Sequence, residues 1–282
     1  MNESEIIVHK CSSDDEFKLL SQRAFQYALI SLPFTVDRMK LRNIKSRILN
    51  IYKGKLAEGL LENFALQNQL KIDFEAGESG FWTRDLFDFS YRGIEWDLKN
   101  NFTHAQEALP PGEYLNLPAL VPNRHQEDQW QKAQKSDKKG FLFSFMTQNE
   151  FPNQKQIKLS GAQTEFVKQL NTGDVDRNEK PFQESWFFEE LEKRGPKPQI
   201  EHSQIPNLVI TGYCLPEHYA QFLDTDGIDH FNYAMFGGKW YTLDDKNRLN
   251  FRGGLIRTRI RNATCPIAAL PSFKSFISAS EK

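Results

Sequence analysis

The segment "DFSYRGIEWDLKN", residues 88–100, decides how this chain is read. In it two runs of alternating apolar and polar residues, Phe89–Tyr91 and Ile94–Leu98, flank Arg92-Gly93. Alternation of this kind marks strands, and a short Gly-bearing break between them marks a hairpin. Side chains alternate along a strand, so Glu95, Asp97 and Lys99 share one face while Ile94, Trp96 and Leu98 share the other. Closing the hairpin at Arg92-Gly93 brings Asp88 beside Asp97. Two carboxylates and one ammonium then meet on one surface.

Such a surface has a specific chemistry available. Mg²⁺ takes one or two carboxylates, a backbone carbonyl such as that of Leu98, several waters and substrate phosphate oxygens. It makes hydroxide available and offsets phosphate charge. Lys99, next to Asp97, is placed to orient or deprotonate the attacking water, or to stabilise charge developing on phosphorus. Asp85 competes with Asp88, but it has the opposite parity and falls where an Asp more often makes a turn or cap. The plainer alternative for Asp97 and Lys99 is an ion pair on an exposed strand. Glu95, on the same face, is read as an outer ligand or a partner for Arg92.

Upstream, Phe17, Leu20, Phe25, Ala28 and Leu32 keep helical spacing until Pro33, which is expected to end that helix. A second helix follows in "SRILNIYKGKLAEGLLENFALQNQ", with apolar rows at 48, 52, 56, 60, 64 and at 49, 57, 61, 65, and with Glu58 and Glu62 on its edge. "KIDFEA" and "LFDFSYR" read as strands ahead of "GIEWDLKN". Downstream, "LPPGEYLNLPALVPN" is too proline-rich to be regular, "RHQEDQWQKAQKS" reads as a short polar helix, and "GFLFSFM" and "NLVITGYCL" read as buried strands. The 151–205 stretch between those strands is too long for a structureless connection and is read as an insertion containing the helix "GAQTEFVKQL". Beyond residue 229 come strand-like pieces, "HFNYAMF", "KWYTL", "LNFRGGLIRTRIRN" and "CPIAAL".

With these elements in place, "DFSYRGIEWDLKN" resembles the signature of the PD-(D/E)XK nuclease superfamily, to which restriction endonucleases belong. Asp88, Asp97 and Lys99 match the signature position by position, with Phe87 standing where that motif carries Pro and Asp97 filling its acidic third place. The order helix, three strands, helix, strand, strand is similar to that superfamily's core. The resemblance implies an α/β fold of restriction-endonuclease-like type: a central mixed β-sheet flanked by helices, an inserted lobe and a β-rich C-terminal part. It also implies an acidic ligand from the preceding helix, Glu58 with Glu62 as competitor. The expected organisation is an N-terminal helical segment over 1–45, a nuclease core over 46–150 and 206–282, and a DNA-contacting insertion over 151–205.

The expected activity is therefore Mg²⁺-dependent hydrolysis of DNA phosphodiesters, with Mn²⁺ able to substitute. Its metal would be held by Asp88, Asp97, Glu58 and the Leu98 carbonyl. A restriction-like role leads, with repair, recombination or phage functions, or a non-catalytic nucleic-acid-binding module, as alternatives. With 36 basic and 37 acidic residues, bulk charge does not drive nucleic-acid binding, so local groups must. Arg257, Arg259 and Arg261 are read as one face of a strand, with Arg248 and Arg252 upstream, lining a phosphate backbone or, equally, forming a solvated basic strand paired with the acidic "DTDGID" or "LDD" loops. Gln126 and Gln129 open the helix after the motif strand and are further candidates, while His104 and His125 are read as ordinary surface histidines. A duplex cutter is expected to pair two sites in a homodimer.

No basic-then-apolar leader and no run of about 18 apolar residues occurs, so a cytoplasmic location without membrane contact is expected. Cys11, Cys214 and Cys265 are odd in number and lack CxxC spacing, which points to buried thiols rather than a disulfide framework or zinc site. Walker, GxGxxG, HExxH and GxSxG motifs do not occur.

Overall fold

The chain opens with an edge strand, β1 (Ile7–His9), and two long helices packed on each other, α1 (Asp14–Met39) and α2 (Ile44–Gln67). A computed structural model describes the chain outside residues 40–42, 79–85, 125, 127, 172–182, 225–240, 244–248, 259 and 280–282. Both apolar rows of α2, from Ile48 to Phe64 and from Leu49 to Ala65, are buried, and the Asn43 side chain caps the helix by accepting the Ser46 N–H. Contrary to the expectation from Pro33, α1 runs through it. A proline inside a helix costs about 3 kcal/mol, but Leu29, Ile30 and Leu32 are buried around it, and Arg47 donates to the Leu32 carbonyl. Burial there outweighs one lost backbone bond.

The hairpin forms as β2 (Phe89–Tyr91) and β3 (Ile94–Thr103), antiparallel, with Phe89 opposite Trp96 and Tyr91 opposite Ile94. Arg92 and Gly93 turn it with φ of 52° and 74°, the left-handed pair of a two-residue hairpin turn. "KIDFEA" does not become a strand. It contributes one antiparallel bridge, in which Asp73 and Ser90 exchange two backbone hydrogen bonds, before residues 75–77 make a 3-10 turn. Its early Glu-Ala-Gly turn leaves too short a run to extend the pairing.

Residues 109–123 are more regular than their prolines suggest: α3 (Pro111–Tyr114) is followed by β4 (Pro118–Pro122), whose prolines sit at its two ends where ladder donors are least needed. Next come α4 (Gln129–Ala133) and the central strand β5 (Lys139–Thr147). β6 (Ile157–Lys158), α5 (Gly161–Asn171), α6 (Glu184–Glu192) and β7 (Gln199–Ile200) follow, β6 and β7 forming a two-stranded ribbon. β8 (Leu208–Cys214) returns to the main sheet. The rest comprises β9 (Leu223–Asp224), β10 (Tyr241–Leu243), β11 (Leu249–Phe251), β12 (Ile256–Thr258), β13 (Asn262–Pro266) and α7 (Phe273–Ser278).

The result is a mixed α/β architecture. Its five-stranded central sheet has the order β1-β8-β5-β3-β2, with β3 and β5 parallel and the other neighbours antiparallel. Two three-stranded sheets, β4-β13-β9 and β10-β11-β12, accompany it. β5 is buried on both faces. Its Leu142 and Met146 join Trp96, Leu98 and the α1 and α2 residues in one core, which also takes in Phe166 of α5 and Phe187 of α6. Phe141, Phe143 and Phe145 join a second core with residues of β4, β11, β12 and β13. The three cysteines are buried and unpaired. Among the described residues no helix is long and apolar enough to cross a membrane.

Candidate active site

The hairpin register sets Asp88, the residue before β2, opposite Asp97 on β3. Asp88 donates its N–H to the Trp96 carbonyl at 2.7 Å, and its carboxylate Oδ2 accepts the Leu98 N–H at 2.6 Å. The side chain thus takes over a ladder position, which fixes the carboxyl against β3. Gly77 packs behind it: a Cβ there would lie 2.6 Å from the Asp88 carbonyl oxygen and 2.7 Å from that of Phe87. Only glycine permits that approach.

Asp97 is 4% exposed. Its Oδ1 accepts from Gln129 Nε2 at 3.1 Å and lies 3.4 Å from Lys99 Nζ. Lys99 extends over the Phe141 ring. Oδ1 of Asp88 and Oδ2 of Asp97 have no protein donor among the described residues. From α2, Glu58 pairs with Lys55 at 2.6 Å, and Lys55 lies over the Tyr27 ring. On the other side Lys139 bonds the Leu86 carbonyl at 2.6 Å, pairs with Glu95 at 3.0 Å and sits over the Phe87 ring, bracing the approach to Asp88.

These groups act on one another electrostatically. Burial, followed by the charge of Glu58, pushes the Asp88 carboxyl up to about 7 from its ordinary 3.8; Lys99 opposes this and Asp97 adds to it. Desolvation works against the charge on Lys55, but Glu58, Tyr27 and Asp88 together outweigh it and hold the ammonium above the usual lysine range. Asp88, Glu58, Glu62 and Lys55 line a cleft of about 490 Å³.

For a divalent cation the donor chemistry fits: Asp88, Asp97 and Glu58 offer hard oxygens, and the surplus of negative charge around Asp88 is what a cation would relieve. Convergence is partial, since among the described residues no group of three His, Cys, Asp or Glu side chains is arranged to hold a metal ion. Mg²⁺ is ordinarily bound through one or two carboxylates plus waters, so a three-acid cage is not required.

Searches against protein-family models, curated proteins and solved structures find no match to this chain. The site therefore rests on its own geometry.

The remaining sequence candidates divide. Gln129 reaches Asp97, whereas Gln126 is exposed in the preceding turn. The arginine row does not form as expected. The segment breaks at Arg252–Gly254 into β11 and β12, and β12 ends at Thr258, so Arg261 lies beyond the strand. Arg257 is exposed with Nε donating to the Gly254 carbonyl, and Arg252 pairs with Glu113 at 3.1 Å. Positive φ at Gly253 and Gly254, 67° and 92°, is what interrupts the strand. Arg259, Arg248, Asp85, His125 and the segment "HFNYAMF" lie outside the described residues. His104 is exposed.

Glu95 pairs with Lys139 and not with Arg92. Arg92 instead bonds the Phe276 and Ala279 carbonyls at 2.6 and 2.8 Å, satisfying the end of α7. Lys55, Lys139 and Gly77 were absent from the sequence candidates. Only Lys55 left a local signal, its three-residue spacing from Glu58 on a helix.

Proposed function

We propose that this chain is a Mg²⁺-dependent DNA endonuclease with a restriction-endonuclease-like core. The observation that carries the reading is where the hairpin puts its charged groups: Asp88 stands opposite Asp97 and accepts the Leu98 N–H at 2.6 Å, Lys99 Nζ lies 3.4 Å from Asp97 Oδ1, and Asp88 shares a cleft with Glu58 of α2. Perturbed carboxyls with a specific charge partner in a cleft are where catalysis is found more often than elsewhere. The sequence resemblance assigns the same four residues.

In this reading Asp88 and Asp97 hold the cation with help from Glu58 and the Leu98 carbonyl, and Mn²⁺ serves in place of Mg²⁺. When bound, the ion supplies an ionised water and offsets phosphate charge. Gln129 fixes Asp97 through Oδ1, Lys55 fixes Glu58, and Lys99 offers its ammonium to the attacking water or to the developing charge on a non-bridging phosphate oxygen. Water adds to phosphorus, the bond to the leaving oxygen breaks, and a proton passes to that oxygen.

A second reading has one observation in its favour. The Lys99 and Asp97 side chains are 9% and 6% exposed, as a structural ion pair would be. A protein of that kind would bind nucleic acid or a partner without turnover.

Incubation of plasmid, linear duplex and single-stranded DNA with Mg²⁺ or Mn²⁺ distinguishes the two. The nuclease reading expects cleavage by the wild type and a loss of about 10²–10³-fold in Asp97→Ala and Lys99→Ala, the scale of removing one group that stabilises transition-state charge. Equal cutting by the variants, or none by the wild type, overturns it.

A further inference from the structure

The groups assigned to catalysis are recessed: Asp97 and Lys99 side chains are 6% and 9% exposed, and Asp88, but neither of those two, lines a cleft of about 490 Å³. That volume is within the roughly 300–1,000 Å³ of small-ligand sites, the scale of one nucleotide rather than a stacked helix. A phosphodiester on the outside of an intact duplex is held on a rigid cylinder whose major groove alone is about 12 Å wide. A phosphate presented to Asp88 through this cleft is reached more readily on a strand that has left the stack.

Charge argues the same way. Glu58, Glu62, Glu78, Asp88 and Glu184 line the cleft, against Arg23 and Lys55 as its cations. Duplex DNA carries one negative charge per about 1.7 Å of axis, so a cleft of this sign repels the crowded phosphates of two strands. A single strand, with one charge per about 3.4 Å and accompanied by a divalent cation, is repelled less. The same cleft also carries Tyr27, Phe74 and Phe87, all half-buried, each with one side already engaged, by Lys55, Phe89 and Lys139 respectively, so that a base has only the opposite side to rest on. Aromatic side chains beside a backbone path hold unstacked bases without regard to sequence. Gly77, which also lines the cleft, is closed against the Phe87 and Asp88 carbonyls.

We propose that the substrate is DNA unpaired at the scissile phosphate, a single strand or a single-stranded tail on a duplex, with a base held among Tyr27, Phe74 and Phe87. This rests on the nuclease reading and narrows it. One such site acts on one strand, so no second active site is needed in a dimer.

The test is initial-rate cleavage, by the full chain with Mg²⁺ or Mn²⁺, of end-labelled DNA in three forms: single-stranded, blunt duplex, and duplex with a single-stranded tail. Single strand and tail are expected to be cut at least about tenfold faster than blunt duplex, with cuts confined to the unpaired part. Tyr27→Leu and Phe74→Leu keep apolar packing and remove a stacking face. Each is expected to raise KM on the single strand about tenfold, the equivalent of one lost base–aromatic stack, with kcat changed less than KM.

Blunt duplex cut as fast as single strand, or an unchanged KM in both variants, overturns the proposal and leaves the nuclease reading standing. No cleavage of any form overturns that reading, and the proposal with it.

Discussion

Asp88→Asn separates a metal site from a structural ion network, because the two predict opposite signs. In the folded chain the carboxyl ionises near 7, against 3.8 for the ordinary group. An acid whose folded pKa is raised leaves the fold undisturbed below about pH 4 and costs stability progressively as pH climbs to about 7, after which the cost is constant. At about 1.4 kcal/mol per pH unit the full cost is a few kcal/mol, most of it accruing as pH climbs from about 4 to about 7. Asn keeps the shape and still presents an oxygen to the Leu98 N–H. Urea denaturation of metal-free protein should therefore find Asp88→Asn more stable than wild type at pH 8, with the gap shrinking toward pH 5. Added Mg²⁺ should stabilise the wild type and not the variant. A variant less stable than wild type at pH 8, or a gap that does not change with pH, would refute the charge-repulsion argument.

Other perturbations follow from the same contacts. Gly77→Ala places a methyl 2.6 Å from the Asp88 carbonyl oxygen, so it should cost about 1–3 kcal/mol in chemical denaturation and lower cleavage with it. Burial brings the Lys53 ammonium down to about 8, while Gln148 is its hydrogen-bond partner at 2.8 Å. The charged form is therefore penalised in full below pH 8, and the penalty fades as pH rises toward the ordinary lysine value of 10.5. Lys53→Met should accordingly be more stable than wild type at pH 7 by up to about 3 kcal/mol, with the difference in denaturation midpoint shrinking by pH 10. Asp97→Ala leaves Lys99 buried without its partner and should destabilise by about 3–5 kcal/mol, read as a lowered thermal midpoint.

What could be read from the sequence was local. Period-two alternation gave the β2–β3 hairpin and the facing of Asp88 and Asp97, because a Gly-bearing two-residue turn leaves one register available. The 3.6-residue rows gave α2, and uninterrupted apolar runs gave β5 and β8. Elements decided by partners were not readable. Whether α1 passes Pro33 depends on burial against α2 and on Arg47, residues distant in sequence. "KIDFEA" had strand composition but only Ser90 to pair with, and the arginine row had strand alternation, but the positive-φ glycines cut it off from Arg252 and β12 ends at Thr258, within the row. β1 is three residues at a sheet edge, too short to carry a period. Gln129 could be placed beside the motif strand, since the following helix returns to it. Lys139 and Gly77 enter only through tertiary packing that no spacing encodes.

Whether Asp88 and Asp97 bind a divalent cation is tested directly by isothermal titration of Mn²⁺ into the metal-free protein. Saturable binding is expected in the wild type and is expected to be lost in Asp88→Asn and in Asp97→Asn, both still folded. Saturable binding that survives unchanged in both variants, or no binding to the wild type, would contradict a cation site at Asp88 and Asp97.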